Sequence, residues 1–421
     1  MDLIYAEATP PGRGGVSIVR ISGNGARQLA ERLGGALPEA RRTYLRRLVE
    51  DGEVLDQAML IRFDEKASFT GEECVELHLH GAPVVVRRVA RALERGGARL
   101  AEAGEFSRRA LLNGRMDLVE VEGLGDLLAA ETEAQRQLAM RTASGELAQR
   151  AVGWREKLIR AGALIEASVD FADEDVPDDV PAEVFDLVGQ LIVELQRELA
   201  GFQAAERVRL GFEVAIIGPP NAGKSTLMNR LADRTVALVS EIAGTTRDVI
   251  EMRYDLNGLA VTFLDTAGLR EAGDAIEAMG IGLARDRARL ADLRIHLSPD
   301  GGRVDDLWQE GDLLVRSKAD LSVGGTGLMI SAAAGDGLDD LLAELSDRLR
   351  QRVSQAGVIS HDRQRQEIAL AVDSLNSVAG QPAELAAEHI RAAAASLDRL
   401  LGRIGSEDYL DVIFASFCIG K

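Results

Sequence analysis

The sequence feature that constrains this chain most is a glycine-rich octapeptide, Gly-Pro-Pro-Asn-Ala-Gly-Lys-Ser, at residues 218–225. A short β-like run, residues 212–217, precedes it, and a segment of helical character, residues 226–231, follows it. Strand, G-x-x-x-x-G-K-[ST] loop and helix are together the context of a P-loop, in which backbone N–H groups and the helix N-terminus favour phosphate. The alternative is a glycine-rich turn that matches the motif by chance, but such a turn would not need a strand before it and a helix after it. The pattern therefore predicts a phosphate site in an α/β domain.

Two side chains of this loop have predicted roles at the phosphates. Lys224 is expected to reach the β- and γ-phosphates, and the Ser225 hydroxyl is expected to ligate Mg²⁺. Asp265 ends a second β-like run and can hold the same ion directly or through water, whereas Gly268 can bring its N–H to the γ-phosphate. Thr246 is the predicted switch I ligand of Mg²⁺, with a plain polar loop as the alternative. Further nucleotide contacts are predicted for Asn221, Ala222, Gly223 and Thr226.

The element that would select the base is altered. After a hydrophobic run the chain reads Ser-Lys-Ala-Asp, where N-K-x-D is the usual guanine motif. Lys318 and Asp320 are present, and Asp320 would accept from guanine N1 and N2, but Ser317 replaces the Asn and removes its amide. The tetrapeptide alone could also cap a helix. Ser331 and Ala332 resemble the loop that backs the base, so the order of the elements favours guanine and predicts GTP as the nucleotide.

Two further features depart from the expected pattern. The position after D-x-x-G, where many GTPases place a water-orienting Gln, is Leu269, so another polar group must orient water or hydrolysis is slow. Residues 270–277 offer acidic candidates that are also consistent with simple solvent exposure. The run 294–299 reads Arg-Ile-His-Leu-Ser-Pro instead of the smooth hydrophobic strand expected in the interior of an α/β sheet.

Length and composition limit what the rest of the chain can be. The 421 residues suggest roughly two to four domains. The net charge of -19 makes the chain a poor general nucleic-acid coat, so any RNA contact is expected to be local or shared with a partner. No run approaches the ~20 apolar residues of a membrane span, and the N-terminus lacks a signal-peptide pattern. Two cysteines far apart in sequence, Cys74 and Cys418, fit a reducing cytoplasm, so we expect a cytoplasmic protein without a membrane.

The chain changes character along its length and predicts a multidomain α/β protein. Residues 1–115 mix short β-like runs with helices and are expected to form an α+β domain. Residues 116–206 and 361–421 have helical spacing and are expected to form one all-helical domain. Residues 207–360 repeat strand, glycine loop and helix, which is typical of an α/β domain. The simplest architecture is a P-loop GTPase α/β domain inserted into the helical domain.

Six stretches spread over the chain form a specific combination. They are ATPPGRGGV at 8–16, FTGEE at 69–73, GEFSRRA at 104–110, PNAGKS at 220–225, IAGTTRD at 242–248 and FCIGK at 417–421. This combination resembles the MnmE family, also called TrmE, of bacterial tRNA-modifying GTPases, and the resemblance covers nearly the whole chain.

The resemblance implies an activity, cofactors and partners that the residues alone do not give. The N-terminal domain would bind folate and form a homodimer, and the protein would act with MnmG, a flavin- and NADH-using partner. Together they would modify C5 of the wobble uridine (U34) of certain tRNAs with a one-carbon unit from a tetrahydrofolate in its 5-formyl or methylene form. GTP hydrolysis would depend on dimerisation of the G domains and on K⁺.

Individual residues carry further expectations from the resemblance. Glu277 matches the family's catalytic acid, which orients the attacking water through a second water, and Cys418 matches a cysteine near the folate site with a role in the modification. A buried structural cysteine is the alternative for Cys418, whereas the residues after it suit prenylation badly. Arg20 and Glu72 match folate-site positions, although an Arg at a strand edge is often a surface charge. K⁺ ligands are expected at Asn221, Ser240, Ile242 and Thr245.

Two other classes of protein compete with this interpretation. A ribosome-assembly or signalling GTPase would bind and release partners without modifying anything, but it would not need the N-terminal domain or the C-terminal Cys-Ile-Gly-Lys. A metabolic P-loop kinase is disfavoured by the Thr-Ala-Gly that follows Asp265 and by the Ser-Lys-Ala-Asp tetrapeptide.

Overall fold

The computed structural model describes residues 2–170, 180–234, 250–265, 284–321, 327–403, 413–414, 417 and 420. It divides into two compact units, Met1–Gly125 with Ala394–Lys421, and Asp126–Ala393. Within the described residues, no helix has the length and apolar character needed to cross a membrane.

The first unit is built on a six-stranded sheet in the order β3-β4-β5-β2-β1-β6. All neighbouring strands are antiparallel except β1 and β6, which are parallel. Two of the β-like runs, 16–21 and 74–80, lie in β2 and β5, and these strands pair directly. The strands are β1 (Ile4–Glu7), β2 (Val16–Ser22), β3 (Thr43–Glu50), β4 (Glu53–Phe63), β5 (Cys74–His80) and β6 (Arg99–Leu100).

Helices cover one face of this sheet. The alternation of apolar and polar residues along β2 and β5 sends Val19, Ile21, Val75 and Leu77 to that face, where they form a core with the buried sides of the first two helices. The predicted mixture of strands and helices in the N-terminal domain is therefore confirmed. The helices of this part of the chain are α1 (Ala26–Gly34), α2 (Pro83–Arg95), α3 (Glu105–Leu112) and α4 (Leu118–Ala129).

The second unit contains long helices before and after an α/β segment. The two longest helices, α6 and α7, pack against each other, and α11 packs against α7. Their apolar residues recur at helical spacing, as in the buried Val184, Val188, Leu191 and Leu195 of α7. The helices are α5 (Glu133–Ala143), α6 (Glu146–Asp170), α7 (Ala182–Leu210), α11 (Asp362–Asn376) and α12 (Ala383–Leu400).

The α/β segment lies in the chain between α7 and α11, which confirms the predicted insertion. Its sheet has the order β12-β11-β10-β7-β9-β8, and every neighbouring pair is parallel except β8 and β9. The strands are β7 (Phe212–Ile217), β8 (Ile250–Leu256), β9 (Leu259–Asp265), β10 (Leu293–Ser298), β11 (Leu313–Arg316) and β12 (Leu328–Met329). The helices are α8 (Lys224–Ala232), α9 (284–290), a 3-10 turn (Ala319–Leu321) and α10 (Leu338–Val353).

Helices pack on both faces of this sheet. Leu227, Met228 and Leu231 of α8 join apolar residues of α10 in the core on one face. Ala288 and Ala291, in and after α9, pack on the opposite face against Ala215 and Ile217. Two covered faces explain why β7 is apolar at every position except Glu213 rather than alternating.

Candidate nucleotide site

The glycine-rich loop connects β7 to α8 and lies directly against β10. A Cβ at Gly218 would lie 2.0 Å from the Leu297 carbonyl oxygen, so a side chain at this position would collide with the neighbouring strand. Asn221 and Gly223 have φ angles of 60° and 99°, which turn the loop back towards the N-terminus of α8. The loop therefore has the tight curvature that lets backbone approach a phosphate group.

Lys224 is the first residue of α8, and its side chain folds back over the loop. The Nζ atom donates hydrogen bonds to the carbonyl oxygens of Gly218 at 2.8 Å and Pro219 at 3.0 Å. The residue is 8% exposed. An ammonium group held inside a turn of backbone, at a helix N-terminus, concentrates positive charge where phosphate oxygens would bind.

Ser225 and Asp265 lie 40 residues apart in sequence, and the fold brings them together. The Ser225 Oγ atom donates to Asp265 Oδ2 at 3.1 Å, and Asp265 is buried at the carboxyl end of β9. A hydroxyl and a carboxylate are the oxygen ligands that Mg²⁺ prefers, so these residues fit the ion that the sequence predicts. Of the remaining predicted contacts, Ala222 is buried, whereas Asn221 and Thr226 are exposed.

The predicted base-recognition residues follow β11 at the same edge of the sheet. The Ser317 N–H donates to the Ser298 carbonyl at 2.9 Å, which ties this turn to the end of β10. Ser317 Oγ is buried and makes no hydrogen bond to any residue that the structure describes. Lys318 has a φ of 58°, and Asp320 is exposed on the 3-10 turn.

The Ser331–Ala332 loop is joined to that turn by the backbone. The Ala319 N–H donates to the Ile330 carbonyl at 3.0 Å. Ser331 Oγ accepts from the Ala334 N–H at 3.1 Å, so its own loop is braced. The structure thus places the two predicted base-binding segments next to each other. β7, β10 and β11 are neighbouring parallel strands, so their carboxyl ends meet at one edge of the sheet. The glycine-rich loop after β7 and the turn after β11 therefore share that edge, where ligands of open α/β sheets bind.

Seven predicted site residues fall outside the residues that the structure describes. They are Ser240, Ile242, Thr245, Thr246, Gly268, Glu277 and Cys418. Their predicted roles stay predictions.

The two predicted folate-site residues lie in the first unit, and each already has a partner. Arg20, on β2, donates from Nε and Nη2 to Glu76 Oε1 at 3.1 and 2.9 Å. Its guanidinium carbon lies 5.4 Å from the centre of the Phe69 ring and 5.7 Å from that of Phe106. This arrangement makes a cationic group with aromatic neighbours, which can bind a flat, partly anionic ligand.

Glu72 is held by a residue that the sequence analysis did not single out. Its Oε2 atom accepts from Arg109 Nη1 and from Ser22 Oγ, both at 3.0 Å. Arg109 is itself buried and also pairs with Glu105. Since Arg109 and Glu72 are 37 positions apart and belong to different elements, no local sequence pattern links them.

Cys74, the other cysteine, is the first residue of β5, pairs with Ser22 of β2 and is buried. Burial raises the pKa of its thiol to about 12, so the thiol stays protonated at neutral pH. A protonated, buried thiol is a poor nucleophile, which gives Cys74 a structural role.

Comparison with known proteins gives matches over the whole chain. The family model for the GTP-binding protein TrmE N-terminus matches residues 3–115, and the model for the MnmE helical domain matches residues 118–418. The tRNA modification GTPase MnmE of Paracoccus denitrificans is 56% identical over 421 residues, and that of Cereibacter sphaeroides (strain ATCC 17025) is 54% identical over 429 residues. In both cases 100% of each chain is covered.

Solved structures of GTP-binding proteins match smaller parts. Era of Aquifex aeolicus bound to GDP.AlF4- is 26% identical over 32% of this chain and 56% of its own, with a TM-score of 0.26. The G domain of the T. maritima FeoB iron transporter is 22% identical over 32% of this chain and 98% of its own, with a TM-score of 0.25. TM-scores of this size do not establish a common fold.

Proposed function

The chain belongs to the MnmE family of tRNA modification GTPases, and from that premise we propose that it hydrolyses GTP in a K⁺-dependent reaction and acts with the flavoprotein MnmG. The proposed target is C5 of the wobble uridine (U34) of certain tRNAs, and the one-carbon unit comes from a tetrahydrofolate in its 5-formyl or methylene form. The observation that carries the proposal is the 56% identity to a tRNA modification GTPase MnmE along the full length of both chains.

The proposed division of labour follows the predicted domains. Residues 1–115 bind folate and form the homodimer, residues 116–206 and 361–421 form the helical domain, and residues 207–360 form the Ras-like G domain. The protein works in the cytoplasm, where its tRNA substrate and MnmG are found.

The proposed GTP site uses the loop and the residues that the fold gathers around it. Lys224 binds the β- and γ-phosphate oxygens in place of the carbonyls of Gly218 and Pro219 that it contacts in the structure. Ser225, Asp265 and Thr246 hold Mg²⁺, which neutralises phosphate charge when it is bound. Lys318 and Asp320 select guanine, with Ser331 and Ala332 behind the base and the Gly268 N–H at the γ-phosphate.

Hydrolysis needs a group to orient water, because Leu269 cannot do so. We assign this role to Glu277, and we assign K⁺ binding to Asn221, Ser240, Ile242 and Thr245. A cation beside the phosphates stabilises the charge that develops on them, as an arginine finger does in other GTPases. The exposed side chain of Asn221, in the loop itself, is compatible with a ligand role.

The proposed folate site uses Arg20 and Glu72, with Cys418 as the catalytic residue of the modification. The Arg20 guanidinium and the half-buried Phe69 ring offer the surface for the ligand, with the buried Phe106 ring behind Arg20, and Arg109 fixes the Glu72 carboxylate. With its thiol held protonated by burial, Cys74 does not compete with Cys418 as a nucleophile.

The test is GTP turnover by the full-length chain in KCl and in NaCl at equal ionic strength. We expect fast turnover in K⁺ only, and we expect Glu277→Ala to abolish it. Glu271→Ala, which removes an acid from the same stretch of sequence, is the matched control and should turn over normally. Equal rates in both salts, unaffected by Glu277→Ala, would refute the cation-dependent mechanism.

A further inference from the structure

The strand β10 has a sequence pattern that does not match its surroundings. Its six residues read Leu-Arg-Ile-His-Leu-Ser, an alternation that is typical of a half-exposed strand, yet all six are buried. Leu293, Ile295 and Leu297 join the core on one face of the sheet. Arg294 and His296 therefore lie on the opposite face, beneath α9, and they need polar partners there.

Arg294 is 1% exposed and uses its whole guanidinium group. The Nε atom donates to both carboxylate oxygens of Asp312, at 3.0 and 2.8 Å. The Nη2 atom donates to Gln309 Oε1 at 2.8 Å. The Nη1 atom donates to three carbonyl oxygens at the C-terminal end of α9, those of Ala288, Arg289 and Ala291, at 3.1–3.2 Å.

Asp312 is the centre of this network. Besides Arg294, its carboxylate accepts from the Gln309 N–H at 2.8 Å and lies 3.2 Å from His296 Nε2. His296 Nδ1 accepts from the Val304 N–H at 3.0 Å, so Nε2 carries the proton and donates to Asp312. Every charged or polar side chain named here therefore has a partner, which is the condition for keeping an ion pair inside a core.

The network joins α9, β10 and the start of β11. It caps α9, the described helix that follows residues 266–283. It lies on β10, whose Leu297 is in contact with the glycine-rich loop at Gly218. It includes Asp312, the residue before β11, and β11 leads to Ser317. Among the described ion pairs and side-chain hydrogen bonds of α9 this network is the buried one, because the other ion pairs, such as Arg285 with Asp306, are exposed to solvent.

We propose that Arg294 is a positioning residue for GTP hydrolysis: together with Asp312 it fixes the C-terminal end of α9 against β10. Because the described residues of α9, 284–290, form one helix, fixing its C-terminal end also holds residue 284, where the chain leaves the segment that contains Glu277. The inference rests on the GTPase activity of the family. It does not require K⁺ dependence or tRNA modification, because Arg294 acts through α9 and its described side-chain partners lie outside the glycine-rich loop.

Exposed ion pairs stabilise little, so the other ion pairs of α9 add little to the core packing of Ala288 and Ala291 in holding the helix. A guanidinium that donates to the last carbonyls of a helix, and is itself fixed by a buried carboxylate, gives the helix end one defined position. A misplacement of about 1 Å at a distance from the chemistry can lower a rate by about 100-fold. The network therefore has a means to affect turnover without contact with the nucleotide.

The experiment removes the network without leaving a buried charge. Arg294→Met combined with Asp312→Asn makes the site neutral, and the Asn oxygen can still accept from the Gln309 N–H. Arg294→Lys keeps the charge opposite Asp312 but cannot reach the carboxylate and the α9 carbonyls together. Arg303→Met is the control, because Arg303 is half-exposed, pairs with Asp305 and covers Trp308 in the same unit. Turnover of GTP, affinity for fluorescent GDP and the thermal melt are measured on each full-length chain.

We expect the neutral double variant to bind GDP within about twofold of the original chain and to lose about tenfold in kcat, with Arg294→Lys in between and Arg303→Met unchanged. A purely structural network would lower kcat and GDP affinity together, or leave both unchanged, and either result would overturn the proposal. If the double variant does not fold, the same comparison is made with Arg294→Lys. A loss of kcat with unchanged GDP affinity supports the proposal, and a parallel loss of both, or no change in either, overturns it. Equal wild-type rates in KCl and NaCl would refute the K⁺ mechanism alone, since these variants are compared in one buffer.

Discussion

The two ends of the proposed nucleotide site, a phosphate end at Lys224 and a guanine end at Ser317, differ in how their polar side chains are held. At the phosphate end, Lys224 donates to two loop carbonyls and Ser225 Oγ donates to Asp265. At the guanine end, Ser317 Oγ is buried without a hydrogen bond to any described residue, and Asp320 is exposed. The phosphate end is thus pre-formed by its own contacts, whereas the guanine end keeps a polar atom that nothing in the described protein satisfies.

The two ends also differ in which parts of the chain set their geometry. The phosphate end comes mainly from eight consecutive residues, to which the fold adds Asp265 and one close approach to β10. Most of its geometry is therefore set by local sequence. The guanine end is positioned by its neighbours: the Ser298 carbonyl holds the Ser317 N–H, and the Ile330 carbonyl holds the Ala319 N–H. A substitution inside the loop should therefore damage binding directly, whereas the guanine end should respond most to changes in the strands that carry it.

The largest difference between the two ends is expected when the lysine of each end is replaced by alanine. Lys224→Ala removes the cation from the phosphate end and should lower GTP turnover by at least about 100-fold, because a preorganised charge at the reacting phosphates is lost. Lys318→Ala makes the same change at the guanine end and should act mainly on GDP affinity. Turnover and fluorescent-GDP binding measure both. Equal losses of turnover in the two variants would contradict the comparison.

The close approach between loop and strand gives the second effect. Gly218→Ala places a Cβ 2.0 Å from the Leu297 carbonyl oxygen, so backbone on one side must move. We expect GTP affinity to fall by about tenfold or more, since the loop N–H groups no longer converge on the phosphates. Gly301→Ala is the control for inserting a methyl group at a glycine of positive φ, because its Cβ would meet no atom within 4 Å. Affinity that Gly218→Ala leaves unchanged would show that the loop does not depend on β10.

The same contrast explains what the sequence could predict. The loop, the strand before it and the helix after it are contiguous, so their structure followed from the motif and its context. The inserted α/β segment also followed, because the strand and helix periods change at its borders. Arg294 and Asp312 are 18 residues apart, and their pairing depends on the register of β10 with β11, which no local pattern gives.

The alternation of apolar and polar residues in β10 predicts a half-exposed strand, which is wrong because all six residues are buried. An Arg and a His spaced two residues apart indicate a face open to solvent, and the structure buries both because Asp312, Gln309 and the α9 carbonyls supply partners. The pairing of Arg109 with Glu72 beside the predicted folate residues is hidden for the same reason. Polar contacts across elements are the part of a site that one sequence predicts least.

A third prediction concerns the strand that leads to the guanine end and its dependence on pH. Burial alone raises the pKa of the Asp312 carboxyl, but hydrogen bonds from His296 and Arg294 outweigh it and lower this pKa to about 2, against 3.8 for a free Asp. A lowered pKa in the folded state stabilises the protein above the unfolded pKa, and the gain is lost as the pH falls through the folded pKa. The shift corresponds to about 2 kcal/mol.

Asp312→Asn should therefore lower the free energy of unfolding by about 2 kcal/mol at pH 7. The gap to the original chain should stay constant down to about pH 5 and close between pH 4 and pH 2. Urea unfolding followed by fluorescence measures it, with Trp154→Phe as background so that Trp308, which lies 5.2 Å from His296, reports alone. A gap that does not change with pH would mean that the charge of Asp312 does not carry the stabilisation.

The smallest effect is expected at Ser317, and it tests the difference between the two ends most directly. Because Ser317 Oγ has no partner among the described residues, Ser317→Ala removes only a desolvated hydroxyl, and GDP affinity and stability should stay within about twofold and 0.5 kcal/mol of the original. Ser317→Asn returns the amide of the usual guanine motif and should tighten GDP binding by about fivefold, the value of one added hydrogen bond. Fluorescent-GDP titration measures both, and inosine diphosphate serves as the second ligand because it lacks the amino group that Asp320 would recognise. If Ser317→Ala weakens binding as strongly as Asp320→Ala does, the hydroxyl already contacts the base, and the guanine end is as fully formed as the phosphate end.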